Sequence, residues 1–260
     1  MKEYLCVKNR VIGSGRPLVC VPVMEQTKDG IVQKVKEMTA HKVEMIEWRV
    51  DAFSHADDLN AVREVLAQLK PLVTDTILVY TYRSKNQGGL GGLSQDEIYD
   101  LHEIAAEEHI ADFIDVEFME AKNAPKEIRR LQEKGAYVIA SHHDFEQTPR
   151  ADILEMILER MHGSNAAIVK LAVMPNTVAD VLTLLQETNE FHERYPETPV
   201  ITMSMGSLGC LSRVAGELVG SCVTFGAFDK ASAPGQFPVD ELGTVLDILH
   251  ARMKGETHRC

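Results

Sequence analysis

Lys170 is the residue of this chain whose setting demands a chemical explanation. It lies in AAIVKLAVM, residues 166–174, where eight of nine residues are apolar. Gly163-Ser164-Asn165 precedes the run and Pro175-Asn176 follows it, so the stretch reads as a strand buried on both faces. An isolated ammonium in such a strand is costly. The lysine must either act as a neutral amine, able to form a Schiff base with a carbonyl, or reach an acidic partner as a structural residue.

Other residue types suited to chemistry recur at regular intervals. In EWRVD, Glu47, Arg49 and Asp51 alternate, so on a strand they share one face. Three charges there either pair among themselves or hold the hydroxyls of a ligand. Arg83 ends another apolar run, where a guanidinium suits oxyanions and hydroxyls. It is followed by SKNQGGLGG, whose glycines at 88–92 suggest a mobile loop, a phosphate cradle or a lid, although the GK[ST] ending of a P-loop is missing. In SHHDF, neighbouring strand residues point to opposite faces, so only one of His142 and His143 faces inward. With no third ligand nearby the pair does not read as a metal site; a general acid or base near neutral pH is the better reading. Met203 and Met205 share a face and offer soft apolar walls or core filling. Arg213 is followed one turn later by Glu217, its bland partner in a helix. The loop ASAPGQ supplies the Ser232 hydroxyl and the Gln236 amide among small residues that allow close backbone approach.

The elements that must position these residues form a repeat. Strand-like runs at 18–23, 43–50, 76–82, 113–118, 136–141, 168–174, 200–205 and 223–228 are each followed by a segment of helical period. Those segments are 27–39, 56–69, 94–108, 124–134, 149–161, 177–195, 208–219 and 239–253. Eight alternating units predict an α/β chain closed as a (β/α)8 TIM barrel, in preference to an open doubly wound sheet, because no GxGxxG follows the first strand. The expected organisation is a single domain over 1–260. Residues 1–17 form an N-terminal β-hairpin that closes the bottom, turning at Gly13-Ser14-Gly15, and 18–253 form the barrel. On this fold active sites sit at the C-terminal strand ends. The residues singled out above fall there.

Composition narrows the class. The 260 residues are 45% hydrophobic and 25% charged, with a formal net charge of −12 and no cluster of Lys or Arg, which argues against nucleic acid. No apolar stretch of membrane-spanning length occurs, and the opening MKEYLCVKNRV is not a signal peptide, so the chain reads as cytoplasmic. Cys6, Cys20, Cys210, Cys222 and Cys260 are widely spaced and read as reduced, mostly buried thiols without zinc.

In order along residues 18 to 249, the motifs EWRVD, HDFEQTP, KLAVMP, ITMSMG, SRVAGE and KASAPGQ closely resemble those of the type I 3-dehydroquinate dehydratases. The resemblance implies a barrel, commonly a homodimer, that uses no metal or organic cofactor. It implies dehydration of 3-dehydroquinate to 3-dehydroshikimate in the shikimate pathway of aromatic amino acid biosynthesis. Lys170 would form the imine and His143 would act as general acid and base. Arg213, Ser232 and Gln236 would hold the substrate carboxylate, and Glu47, Arg49 and Arg83 the ring hydroxyls. Met203, Met205 and Phe225 would pack the ring, with Gln87 and Asp51 in support. Gln87 stands where many members carry a glutamate that orients the histidine. Two rival readings are a lysine-imine aldolase, which would need a phosphate site, and a barrel that binds a carboxylated ligand without turnover.

Overall fold

The computed structural model describes residues 5–229 and 235–256. Eight strands form one parallel sheet: β3 (Leu18–Val23), β4 (Met45–Arg49), β5 (Ile77–Thr81), β6 (Phe113–Glu117), β7 (Tyr137–Asp144), β8 (Ile168–Val173), β9 (Val200–Ser204) and β10 (Val223–Phe225), with β10 returning to lie beside β3. The seam between β9 and β10 is short. There Cys222 N–H donates to the Val200 carbonyl at 2.8 Å, beside a parallel bridge from Val200 to Ser221. The result is the expected (β/α)8 barrel.

Side-chain alternation divides the core in two. Ile46, Trp48, Leu78, Tyr80, Val169 and Leu171 point outward and pack beneath the helices. Met45, Ile77, Phe113, Ile139, Ile168 and Ile201 point inward and fill the lower lumen. Because both faces of each strand are covered, the strands read as continuous apolar runs rather than alternating ones. All six residues of β8 are buried, Lys170 included.

The hairpin closes the bottom as expected, but it turns elsewhere. Strands β1 (Leu5–Val7) and β2 (Arg10–Ile12) pair antiparallel through Lys8 and Asn9, whose φ values are 46° and 61°. Two left-handed residues match the right-handed twist of a two-residue hairpin; Gly13-Ser14-Gly15 instead links the hairpin to β3. Val7 and Ile12 enter the lower lumen beside Leu18, Met45 and Phe113. The Lys8 ammonium reaches the Val73 and Thr76 carbonyls and Asp112, groups that precede β5 and β6.

The helices begin where their caps dictate. Thr27, Asp58, Ser94, Asn123 and Thr177 each accept a backbone N–H of the following first turn. The second helix, α2 (Leu59–Leu69), therefore starts at Asp58 and not near residue 56. Segment 208–219 is two short helices, α7 (Cys210–Val214) and α8 (Gly216–Val219), broken at Ala215. Glu217 consequently serves His250, at 2.7 Å. Cys20 and Cys222 are buried, but Cys6 and Cys210 are exposed, which corrects the expectation of mostly buried thiols; Cys260 lies outside the described residues. Among the described residues no helix is long and apolar enough to cross a membrane.

Ile12 is 1% exposed within the plug. Replacing it with alanine is expected to cost about 2–5 kcal/mol, the usual range for a buried Ile→Ala change. Urea denaturation checks this: an unchanged midpoint would mean the hairpin lies outside the cooperative core.

Candidate active site

Above the apolar floor the lumen becomes charged. Lys170 Nζ lies 3.3 Å from Glu47 Oε1 and 3.6 Å from Asp115 Oδ2, and 4.4 Å above the centre of the Phe225 ring. Glu47 also accepts from the Thr81 hydroxyl at 3.1 Å. Asp115 is clamped from its other side by Arg83 at 2.9 Å and by the Ser141 hydroxyl at 2.6 Å. Burial alone would raise the Asp115 pKa, but Arg83, Lys170 and Ser141 outweigh it and hold the group below the usual carboxylate range. Arg83 extends the chain of contacts to Glu117 at 3.0 Å and to Ser141 at 3.1 Å.

His143 lies in the same mouth. Its Cα is registered against Ala172 of β8, two residues beyond Lys170, and all three side chains line one cavity. Gln87 Oε1 accepts the His143 backbone N–H and also lies 2.9 Å from Nδ1. A backbone N–H needs an acceptor, so the amide must present its oxygen here. Nδ1 then carries the hydrogen and Nε2 is left with a free lone pair. Burial holds the imidazole well below its usual pKa, and the nearby Arg83, Lys170 and Arg49 cations lower it further. The ring is neutral at pH 7 and ready to accept a proton. His142 lines no part of this cavity, in line with its opposite position on the strand.

The loops hold these groups by short-range contacts. Asp51 is not on β4 but on a single 3-10 turn, Val50–Ala52, contrary to the alternation read from EWRVD. From there it grips Arg49 with both oxygens at 2.8 Å and accepts the backbone N–H groups of Arg83 and Leu90. The glycine-rich segment is compact. A Cβ at Gly89 would stand 2.1 Å from the Arg83 carbonyl, and Gly88 has φ +78° beneath the Phe145 ring. Close packing therefore accounts for these two glycines without invoking mobility.

The cavity measures about 270 Å³. The β4 and β5 units supply one wall, Glu47, Arg49, Arg83 and Gln87; the β9 and β10 units supply the other, Met203, Met205, Arg213, Phe225 and Gln236; His143 on β7 and Lys170 on β8 stand between them. Arg213 is 1% exposed, and burial brings its pKa down to about 10, so it remains a cation at neutral pH. Ser232 lies outside the described residues. Of the remaining sequence candidates, all but Asp51 line the cavity. Sequence reasoning missed Asp115, Glu117, Ser141 and Thr81. Asp115 and Glu117 alternate in FIDVEF just as Glu47 and Arg49 do in EWRVD, and that signal was available.

A (β/α)8 barrel with a strand-borne lysine and a neutral histidine in one polar mouth defines the class. Within it, the model of the type I 3-dehydroquinase family matches residues 19–253, and the chain belongs to that family. The 3-dehydroquinate dehydratase of Clostridioides difficile strain 630 is 40% identical over 251 residues, covering 96% of this chain and 98% of that protein. That of Bacillus subtilis strain 168 is 38% identical over 254 residues, covering 97% and 100%. A crystal structure of the type I enzyme from Clostridium difficile, with covalently modified comenic acid, superposes with a TM-score of 0.92 at 40% identity, over 97% of this chain and 100% of that one. These named relatives are hydro-lyases.

Gln87→Glu is expected to raise the His143 pKa, because a carboxylate beside Nδ1 stabilises the imidazolium by charge where an amide cannot. NMR titration of the ring carbons checks this, and an unchanged or lowered pKa would mean Gln87 does not control the ring.

Proposed function

We propose that this chain is a type I 3-dehydroquinate dehydratase that removes water from 3-dehydroquinate through an imine on Lys170, with His143 as general acid and base. The observation that carries the reading is the shared cavity: a buried lysine and a neutral imidazole with its lone pair free, in a chain of this family. The relatives' names supply the substrate, and the shikimate pathway follows from that substrate. A homodimer and a cytoplasmic setting belong to the same reading.

The Lys170 ammonium, held by Glu47 and Asp115, passes one proton to His143; the free amine attacks the ketone, and the carbinolamine takes that proton back as it expels water, leaving a protonated imine. A proton on the carbon beside an ordinary ketone is weakly acidic; beside an iminium its bonding pair drains into the nitrogen. His143 Nε2 accepts that proton, and its pKa well below 6.5 keeps the base form available under mildly acidic conditions. The enamine then pushes out the neighbouring hydroxyl, which leaves as water with the proton His143 holds. Water hydrolyses the imine and restores Lys170, so the net change is loss of one water. Arg213 and Gln236 face the substrate carboxylate, a geometry a guanidinium fork suits, with Ser232 as the third member. Glu47 and Arg49 take ring hydroxyls. Arg83 is already engaged with Asp115, Glu117 and Ser141, so its part is chiefly to hold those groups. Met203, Met205 and Phe225 pack the ring and exclude water from the imine.

Sodium borohydride added with 3-dehydroquinate is expected to leave a reduced adduct that intact-mass spectrometry detects and peptide mapping places on Lys170. Lys170→Ala is expected to lose both adduct and turnover while keeping its fold, since Asp115 retains Arg83 and Ser141; normal turnover by that variant would sink the imine mechanism. Saturable ligand binding without any adduct would favour the non-catalytic reading instead. The acid limb of kcat/KM is expected below pH 6.5, because burial and neighbouring cations depress the free-enzyme base. A limb at or above 6.5 would remove His143 from the role of base, as would a wild-type rate in His143→Ala.

A further inference from the structure

A second cavity of about 230 Å³ opens on the other side of the Arg83 network, outside the sheet between the β5 and β6 units. Its polar lining includes Ser84 and Asn86 from the connection after β5, Gln95 and His102 from helix α3 (Gln95–Glu108), Glu117 from the end of β6 and Glu120 from the turn that follows. The described lining holds two carboxylates and no lysine or arginine. His102 is 2% exposed. Its Nδ1 lies 3.2 Å from Glu127, a carboxylate that His102 and Arg130 together keep below its usual pKa against the opposing effect of burial. An ionised carboxylate only accepts, so Nδ1 carries a hydrogen, and in the neutral ring Nε2, turned away from Glu127, is the acceptor. That Nε2 is buried and has no hydrogen-bond partner. The Ser84 hydroxyl, at the inner edge of the same cavity, is buried without one as well.

Buried polar atoms in folded proteins are nearly always satisfied, so a cavity lined by an unpartnered ring nitrogen and an unpartnered hydroxyl calls for a polar ligand. The carboxylates set the sign of that ligand's charge. A metal ion is disfavoured by arrangement: no group of three or more His, Cys, Asp or Glu among the described residues converges on one point. Two carboxylates and a ring nitrogen around one space, with Tyr82, Leu93, Ile98 and Val116 as apolar wall, suit a short carbon chain bearing N–H donors.

We propose that this cavity is a second binding site, specific for a small organic ammonium compound, with one nitrogen between Glu117 and Glu120 and another reaching His102 Nε2. Glu117 is shared: its Oε1 also accepts from Arg83 Nη1 at 3.0 Å and from the Ser84 N–H at 2.8 Å. A cation seated here therefore touches the same carboxylate that braces the active-site arginine.

The test is calorimetric titration of the full-length protein with 1,4-diaminobutane, in physiological salt and without any substrate, so its outcome is independent of the proposed reaction. Saturable one-site binding is expected, weakened about tenfold or more both in Glu120→Gln, which removes a charge at the exposed rim, and in His102→Leu, which removes the buried acceptor. 1,4-Butanediol, the same chain without charge, is expected not to bind. Absence of saturable binding overturns the site. So does binding that either variant leaves unchanged, which would be the diffuse attraction of any amine to an acidic protein. Should His102→Leu fail to fold, Glu120→Gln and the butanediol comparison decide the matter.

Discussion

The constraint on which the rest of this structure depends is the burial of Lys170 in a strand that is apolar on both sides. A cation in the middle of such a strand is tolerable only where opposite charge converges on it. Glu47 comes from β4 and Asp115 from β6, so two strands that do not neighbour β8 supply its partners across the lumen. Those carboxylates then need compensation of their own. Thr81 serves Glu47, while Arg83 and Ser141 serve Asp115, and Arg83 in turn recruits Glu117. One buried charge thus dictates residue types on β4 to β7. A half-satisfied polar network would be worse than an apolar core, and this one is closed nearly all round.

The same network sets the behaviour of His143. It lies among Arg83, Lys170 and Arg49, and a second proton on its ring would add a cation to a site that already holds three. Its neutrality follows from burial first and then from charges placed for other reasons. Its orientation follows from Gln87, whose position depends on the tight loop above β5. Asp51 ties that loop to β4 by accepting backbone N–H groups on either side of it. Histidine, loop and arginines therefore form one mechanical unit.

Much of this was legible in the chain. Alternating apolar runs and helical segments, with no dinucleotide fingerprint, led to the barrel. The inward parity of Glu47, His143 and Lys170 followed from their strands. What failed did so for identifiable reasons. The hairpin turn was assigned to Gly13-Ser14-Gly15 because glycine is the commoner left-handed residue, whereas Lys8 and Asn9 adopt that conformation here. Asp51 was assigned to a strand because alternation looks the same whether or not the chain has begun to turn. Nor did any local pattern announce that Asp115, Glu117 and Ser141, distant in sequence, would engage the Arg83 guanidinium. Tertiary pairing of charges carries almost no sequence-local signature.

The two walls of the mouth also restrict how an anion can sit. Glu47, Asp115 and Glu117 line or underlie the side built by β4 to β6, and a ligand carboxylate placed there would meet like charge at close range. The opposite side offers Met203, Met205 and Phe225 with Arg213 and Gln236. On the proposed function, a ring carrying both hydroxyls and a carboxylate has one favourable sense of entry, with the carboxylate toward Arg213 and the hydroxyls toward Glu47 and Arg49. Under the proposed dehydration that sense leaves the ketone to be met by Lys170 between the two walls, with His143 on the neighbouring strand. The chain carries a net charge of −12, so its attraction for an anion is confined to this local arrangement of arginines.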